Sequence, residues 1–184
     1  DGEKKVDLTL PVLSADGETE YRIVYVNEFT SALVRGGMET FYYPDTLTGF
    51  ARAALDAGNA ANHPSLRTLR LPAGTTRIDS YLFCRFCTNL VEILPRGILE
   101  SGQITSYGQG AFMGCPSLTN CPNLSAAGAV PDNTFDGCSG MTGDPHLGCQ
   151  TRLGSKAFFN CSRLPFPDPL VLSNITEVAD QSFQ

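Results

Sequence analysis

The sequence has no tryptophan, only three methionines and two histidines, and few charged residues. Charged residues make up 17% of the chain, below the usual quarter, whereas hydrophobic residues make up 42%. This balance excludes an intrinsically disordered acidic tail, and the lack of any apolar run of about 18 residues excludes a membrane span. The formal net charge of −6 argues against nucleic acid as a partner, because nucleic-acid binding requires a basic surface.

Signatures of catalysis and metal binding are also missing. There is no Gly-x-Ser-x-Gly and no glycine-rich phosphate loop before a helix; the stretch Tyr107–Phe112 lacks the third glycine of a nucleotide loop. His63 and His146 do not stand at a zinc-site spacing from a cysteine pair. We therefore expect no enzymatic activity, no metal and no cofactor. A hydrolase or a redox enzyme is kept only as the least favoured hypothesis for the function.

Glycine and proline are plentiful, with 18 and 12 residues, which predicts many turns and few long helices. Charge is uneven, since residues 1–61 carry a net charge of −5 and residues 62–184 a net charge of −1. This shift indicates two regions. No signal peptide opens the chain, because residues 1–5 are polar, so a secreted protein of this sequence has already lost its leader.

One template recurs along the C-terminal two thirds: an aliphatic residue, three residues, a small residue and Phe, two residues, Cys, two residues and an aliphatic residue. The matching copies are Val130-x-x-x-Thr134-Phe135-x-x-Cys138-x-x-Met141, Leu153-x-x-x-Ala157-Phe158-x-x-Cys161-x-x-Leu164, with an aromatic first residue Tyr107-x-x-x-Ala111-Phe112-x-x-Cys115-x-x-Leu118 and, with one extra residue after Phe, Ile78-x-x-x-Leu82-Phe83-x-x-x-Cys87-x-x-Leu90. A fifth begins at Val178. Successive phenylalanines are 29, 23, 23 and 25 positions apart, and this near-constant period predicts a repeat fold.

Each unit of about 23 residues holds one short strand and one irregular or short helical turn, which is too little to bury its own apolar face. Stacked units share a continuous core, so we predict a solenoid. Leu69 and Ile93 belong to the predicted strand side. The predicted structural ladder comprises Phe83, Phe112, Phe135, Phe158, Phe183, Cys87, Cys115, Cys138 and Cys161.

The run Leu153-Gly-Ser-Lys-Ala-Phe-Phe-Asn-Cys-Ser-Arg-Leu164 resembles the BspA-type leucine-rich repeat, and the resemblance covers about residues 62–184. It implies an α/β-type solenoid of leucine-rich repeats, about five here with the last one truncated. The sequence after Met141, Thr-Gly-Asp-Pro-His, departs from the family pattern and is poor strand material.

Residues 1–61 are predicted to form a β-rich region and a capping helix. Strand alternation is present in residues 6–10 and 21–26, with a turn at Asp16-Gly17 between them, and residues 38–43 predict a third strand. Asp45 is placed to cap a helix that ends near Gly58. Because a solenoid needs its first repeat covered, we favour a cap; an independent module joined at residues 59–62 is the alternative.

Four of the seven cysteines occupy one position of the repeat, which favours small buried side chains. Cys84 and Cys87 have the spacing of a redox pair, but no thioredoxin-like βαβ pattern surrounds them. Cys121 and Cys149 lie outside the repeat position and are the candidates for a disulfide or for exposed thiols.

The outward residues of a stacked strand face are free to serve recognition. From the repeat phase, the candidate binding residues are Arg67, Arg70, Glu92, Thr119 and Asn120. Proteins with repeats of this type are commonly surface antigens and adhesins, so the resemblance implies a non-enzymatic, cell-surface or secreted protein that binds a protein or glycan, including a host-derived one. The alternative is a structural protein whose open last repeat packs against another copy.

Overall fold

The chain forms a β-solenoid of about four turns, built from short and mostly parallel strands. The computed structural model describes residues 5–7, 9, 12–13, 20–21, 25–26, 37, 39–47, 49–50, 65–78, 84–166 and 172–184. The strands are β1 (Lys5–Asp7), β2 (Val12–Leu13), β3 (Glu20–Tyr21), β4 (Tyr25–Val26), β5 (Thr40–Tyr42), β6 (Gly49–Phe50), β7 (Thr68–Arg70), β8 (Arg77–Ile78), β9 (Glu92–Leu94), β10 (Ser106–Tyr107), β11 (Ala129–Val130), β12 (Arg152–Leu153) and β13 (Glu177–Val178).

The strands of the solenoid fall into two lines. The first strand line is a parallel sheet in the order β1-β5-β7-β9, and the second consists of β8 with β10 and of β11, β12 and β13. Burial alternates along β7 to β12, as a strand with one face on the core requires. In the first line Leu69 and Ile93 are buried between half-buried neighbours, and in the second line Ile78, Val130 and Leu153 are buried.

The strands β10, β11, β12 and β13 each lead into a series of turns that carries a phenylalanine. The rings of Phe112 and Phe135 stack with centroids 5.8 Å apart, those of Phe135 and Phe158 at 5.4 Å, and those of Phe158 and Phe183 at 5.7 Å. Backbone hydrogen bonds join the same turns, since the N–H of Phe135 donates to the carbonyl of Ala157 at 3.0 Å. The stack therefore runs from unit to unit through both side chains and backbone.

The predicted α/β character is not found, because the described residues contain no α-helix. The turns explain this. The turns after β10, β11 and β12 each have two positions with positive φ, as at Asn133 (54°) and Gly137 (78°) in one unit, and at Lys156 (55°) and Asn160 (57°) in the next. A left-handed residue cannot continue a right-handed helix, so the segment after each second-line strand remains a run of turns.

The first copy of the template differs from its sequence alignment. The Cys84 N–H donates to the carbonyl of Ala111 at 3.1 Å, which is the bond that the stacked phenylalanines make one unit later. Cys115 Sγ donates to the carbonyl of Cys84 at 2.9 Å, as the next two cysteines do to phenylalanine carbonyls. Cys84 thus occupies the place that the alignment gives to Phe83, which lies outside the described residues. The extra residue of this copy falls within positions 79–83.

The cysteines at the repeat position are all buried free thiols, as are Cys84 and Cys121. Three thiols of the ladder bond back to the preceding unit, since Cys138 Sγ and Cys161 Sγ donate to the carbonyls of Phe112 and Phe135 at 3.1 Å, as Cys115 Sγ does to that of Cys84 at 2.9 Å. Cys149 is exposed, so of the two candidates for an exposed thiol, Cys121 and Cys149, only the second is one.

The N-terminal region contributes strands directly to the solenoid. The strand predicted at residues 38–43 is confirmed as β5, which pairs in parallel with β7. The helix predicted after Asp45 is wrong where the structure describes it, because residues 46–47 are not helical and residues 49–50 form β6; residue 48 and residues 51–58 lie outside the described residues. Asp45 instead pairs with Arg70 at 2.6 Å and accepts the Ala73 N–H at 2.8 Å. This sheet continuity supports the proposal that residues 1–61 cap the repeats.

Candidate functional site

A longer connection distinguishes one unit of the solenoid. The chain advances 15 positions from Glu92 to Tyr107, whereas it advances 10 from Asn120 to Val130 in the next unit. The extra length forms a series of turns over residues 95–104, here called the inserted loop. In repeat proteins, insertions of this kind project on one face, which is often the binding face.

Apolar and polar contacts fix the inserted loop to the units on both sides. Ile98 and Leu99 are buried in the core, at 4% and 1% exposure. The carbonyl of Leu99 accepts the Asn123 N–H at 2.8 Å in the following unit. Gln103 Nε2 donates to the carbonyls of Ala73 and Thr75, both at 2.9 Å, in the preceding unit. The loop is therefore packed and hydrogen-bonded as part of the solenoid.

The first strand line is interrupted beside the inserted loop. Among the described residues its sheet ends at β9, and farther along only an isolated bridge joins Asn120 to Thr142. The weak strand sequence after Met141 agrees with this, since glycine and proline do not sustain a ladder. Thr142 is held by its N–H, which donates to the carbonyl of Thr119 at 2.9 Å.

A groove of about 350 Å³ lies between the inserted loop and the two units that follow it. Six of the lining side chains come from three segments: Glu100 from the loop, Thr119 and Asn120 from one unit, and Thr142, Asp144 and His146 from the next. Every one of these residues is exposed. The volume lies at the lower end of the range for ligand sites, which suits one side chain of a partner.

The groove is polar and negatively charged. Glu100 and Asp144 supply carboxylates, and the lining has no lysine or arginine. Hydrogen bonds position both acids: Asn120 Nδ2 donates to Glu100 Oε1, and the His146 N–H donates to Asp144 Oδ1 at 2.7 Å. Burial raises the pKa of the Cys121 thiol to about 12, so this groove residue stays neutral. The negative charge therefore comes from the two carboxylates.

The five predicted binding residues have different surroundings. Thr119 and Asn120 line the groove. Arg70 forms an ion pair with Asp45, and its Nη1 donates a hydrogen bond to the carbonyl of Tyr43 at 2.6 Å. Glu92 pairs with Arg96 at 2.8 Å, and Arg67 is exposed next to β7. The structure thus groups only two of the five at the groove, and a binding role for any of them stays a prediction.

Sequence reasoning missed the groove residues Glu100, Asp144 and His146. The available signal was the first phenylalanine spacing, 29 positions against 23 in the next two, which marked an insertion without showing where it projects. No position of the repeat template predicts the two acids, because the template describes core residues only.

The Cys84 thiol, one of the pair with redox spacing, is held in its neutral form. Burial and the neighbouring Cys87 raise the pKa of the Cys84 thiol well above its ordinary value, which opposes the thiolate that redox chemistry needs. Within the part of the chain that the structure describes, no cluster of three or more His, Cys, Asp or Glu side chains is arranged to hold a metal ion. The same part contains no helix that meets the length and apolarity of a membrane span.

Comparison with known proteins gives one family. The family model for the BspA type leucine rich repeat region matches residues 58–184, with six copies where the phenylalanine positions suggest about five. Neither the curated proteins nor the solved structures give a match.

Proposed function

The chain belongs to the BspA-type leucine-rich repeat family, and we propose that it is a non-enzymatic recognition protein that binds a partner protein at the groove beside its inserted loop. The family is generally non-enzymatic, and its repeats indicate a role in protein interaction. Within that role, the groove beside the inserted loop would be the place of contact.

The observation that carries the proposal is the inserted loop itself. A solenoid needs only its repeated core to be stable, and the apolar residues of the loop that are buried, Ile98, Leu99 and Ile104, anchor it. The exposed part of the loop presents Glu100 opposite polar residues of two further units. An anchored loop with a polar cleft gives a rigid surface, which lowers the entropic cost of binding.

Repeats of this family are typical of cell-surface and secreted proteins, and we propose the same location and an adhesive role for this chain. Its partner would be a protein, including one of a host organism. A glycan partner is the second possibility and forms a separate arm of the experiment below.

Binding arrays of proteins and of glycans test the proposal with the purified chain and two variants. Thr119→Trp places a large ring at the groove, and Ser173→Trp places the same ring at an exposed turn outside it. We expect at least one protein to bind the wild type and the Ser173 variant, with affinity at least tenfold weaker for the Thr119 variant.

Silence on both arrays would overturn the recognition role. Glycan binding alone would replace the partner class, and protein binding that survives Thr119→Trp would move the contact away from the groove. The assembly alternative, in which the last repeat packs against another copy, predicts concentration-dependent association in sedimentation velocity, whereas the recognition proposal does not require it.

A further inference from the structure

The groove has the charge and the hydrogen-bonding groups to receive one particular side chain. Resting on the proposed function and deepening it, we propose that the groove takes an arginine side chain from a basic segment of the partner protein. The guanidinium would lie between the carboxylates of Glu100 and Asp144, with the hydroxyls of Thr119 and Thr142 beside it.

Charge complementarity is the first support. The groove has two carboxylates and no lysine or arginine, and the whole chain carries a net charge of −6. The two acids belong to different segments, the inserted loop and the turn at residues 142–146, so that a cation in the groove faces both. Their field also favours the encounter with a basic segment.

The second support is that each carboxylate keeps an oxygen for a ligand. Glu100 Oε1 accepts the amide of Asn120, and no described residue bonds to Oε2. Asp144 Oδ1 accepts the His146 N–H, while Oδ2 lies 3.7 Å from His146 Nδ1, beyond hydrogen-bond distance. The bonds inside the protein thus hold the acids in place without using their full accepting capacity.

A buried hydroxyl next to the groove is the third support. Tyr107 is 4% exposed, and its Oη has no hydrogen-bond partner among the described residues. Burial raises the pKa of this hydroxyl, and the neighbouring Cys121 and Glu100, two residues of the groove lining, add to the rise. A buried hydroxyl without a partner is costly, and a donor from a ligand would relieve that cost.

Arginine fits these groups better than lysine. The guanidinium is planar, holds five N–H donors in a fixed fork and binds carboxylates in bidentate fashion. With two carboxylates and nearby hydroxyl oxygens, the groove offers enough acceptors for that fork. The lysine ammonium has three donors and is more strongly hydrated, so it gains less at an exposed polar site.

The test is a titration of the ¹⁵N-labelled protein, followed by amide chemical shifts, with N-acetyl-arginine amide. N-acetyl-citrulline amide is the matched probe, since it has nearly the same shape without the charge, and N-acetyl-lysine amide is the second cation. We expect saturable shifts confined to residues 98–104, 119–123 and 142–146, with arginine binding at least tenfold tighter than citrulline and tighter than lysine.

Glu100→Gln and Asp144→Asn are nearly isosteric variants that each remove one charge, and Asp180→Asn removes a charge from an exposed residue outside the groove. We expect each groove variant to weaken arginine binding about tenfold and the Asp180 variant to leave it unchanged. Equal binding of citrulline, shifts at another surface, or no saturable shift would overturn the inference.

The same variants separate this inference from the proposed function. A partner protein whose binding is lost with Thr119→Trp but kept with Glu100→Gln and Asp144→Asn would leave the groove as the contact and refute the arginine. Arginine binding at the groove together with silent arrays would keep the chemistry of the site and refute recognition of a protein.

Discussion

At the scale of single residues, Phe135 has a ring neighbour on each face. It stacks on Phe112 with the ring planes 7° apart and on Phe158 with the planes 17° apart, and Tyr107 meets it edge-on at 5.7 Å. Its side chain is fully buried. A residue in this position contributes packing energy to its own unit and to both neighbours.

Replacing Phe135 by alanine is expected to lower the free energy of unfolding by about 3–5 kcal/mol, the usual cost of a cavity left by a buried phenylalanine. Urea denaturation followed by circular dichroism measures the change. Phe159→Ala is the control, because this ring is half-buried and has Lys156 Nζ at 5.1 Å, an arrangement worth about 1 kcal/mol or less. Equal losses for the two variants would contradict the role of the stack.

The thiols give a second prediction at this scale. Six cysteines are buried and Cys149 is exposed. Since thiolates are the reactive species and burial opposes them, a thiol reagent at pH 8 should modify only Cys149 quickly in the native protein, and all seven cysteines after denaturation. A count below seven in denaturant, without reductant, would reveal a disulfide.

At the scale of elements, the phenylalanine turns depend on close contact between units. An alanine Cβ at Gly154 would lie 2.4 Å from the backbone nitrogen of Asp132 and 2.6 Å from the carbonyl carbon of Pro131. Backbone atoms at this distance cannot move aside without displacing the preceding unit, so glycine is required here for space rather than for conformation.

Gly154→Ala should therefore lower the free energy of unfolding by about 1–3 kcal/mol, the range for an overpacked site. Gly128→Ala is the matched control, since its Cβ would have no atom within 4 Å and its change should stay within about 0.5 kcal/mol or be stabilising. Thermal unfolding of both variants makes the comparison, and a neutral Gly154→Ala would show that the units separate easily.

The elements also show what sequence reasoning reaches. The period and the stacking of units follow from the spacing of phenylalanines, because buried aromatic residues tolerate little variation. The template aligns the first copy on Phe83, because the other copies have an aromatic side chain at that position, whereas backbone pairing puts Cys84 there. The helix after Asp45 was predicted from local pattern, but its carboxylate is used by Arg70 and Ala73 across the chain.

The candidate site was predictable only in part. Thr119 and Asn120 follow the core position Leu118, so the repeat phase places them outward. Glu100 and Asp144 join them through the fold of the inserted loop and through the broken strand line, and neither feature belongs to the repeating pattern. A periodic sequence pattern does not predict where irregular segments pack against distant parts of the chain.

At the scale of the whole molecule, the buried thiols link stability to pH. Burial raises the pKa values of Cys84, Cys115 and Cys138 well above the ordinary value of 9.0, and those of Cys121 and Cys161 to about 12. Thiols that stay protonated in the folded state, but ionise in the unfolded state, give a stabilisation that is complete below about pH 9. It is lost as pH rises toward the folded values.

We expect the free energy of unfolding to fall between about pH 9 and pH 12, with each such thiol adding up to about 1.4 kcal/mol per pH unit to the slope. Urea titrations at several pH values measure it. Cys121→Ala and Cys161→Ala should each reduce the slope by one thiol's share. A profile that stays flat up to pH 11 would contradict the burial of these groups.

The inserted loop also has an evolutionary consequence. Its anchors, Ile98 and Leu99, sit in the core, while the hydrogen bonds that join the phenylalanine turns involve none of its residues. Selection can therefore exchange the loop's outer side chains, Glu100 among them, without re-optimising the supporting framework. Among related chains we therefore expect variation to concentrate at the outer residues of this loop, while the stacked units stay alike.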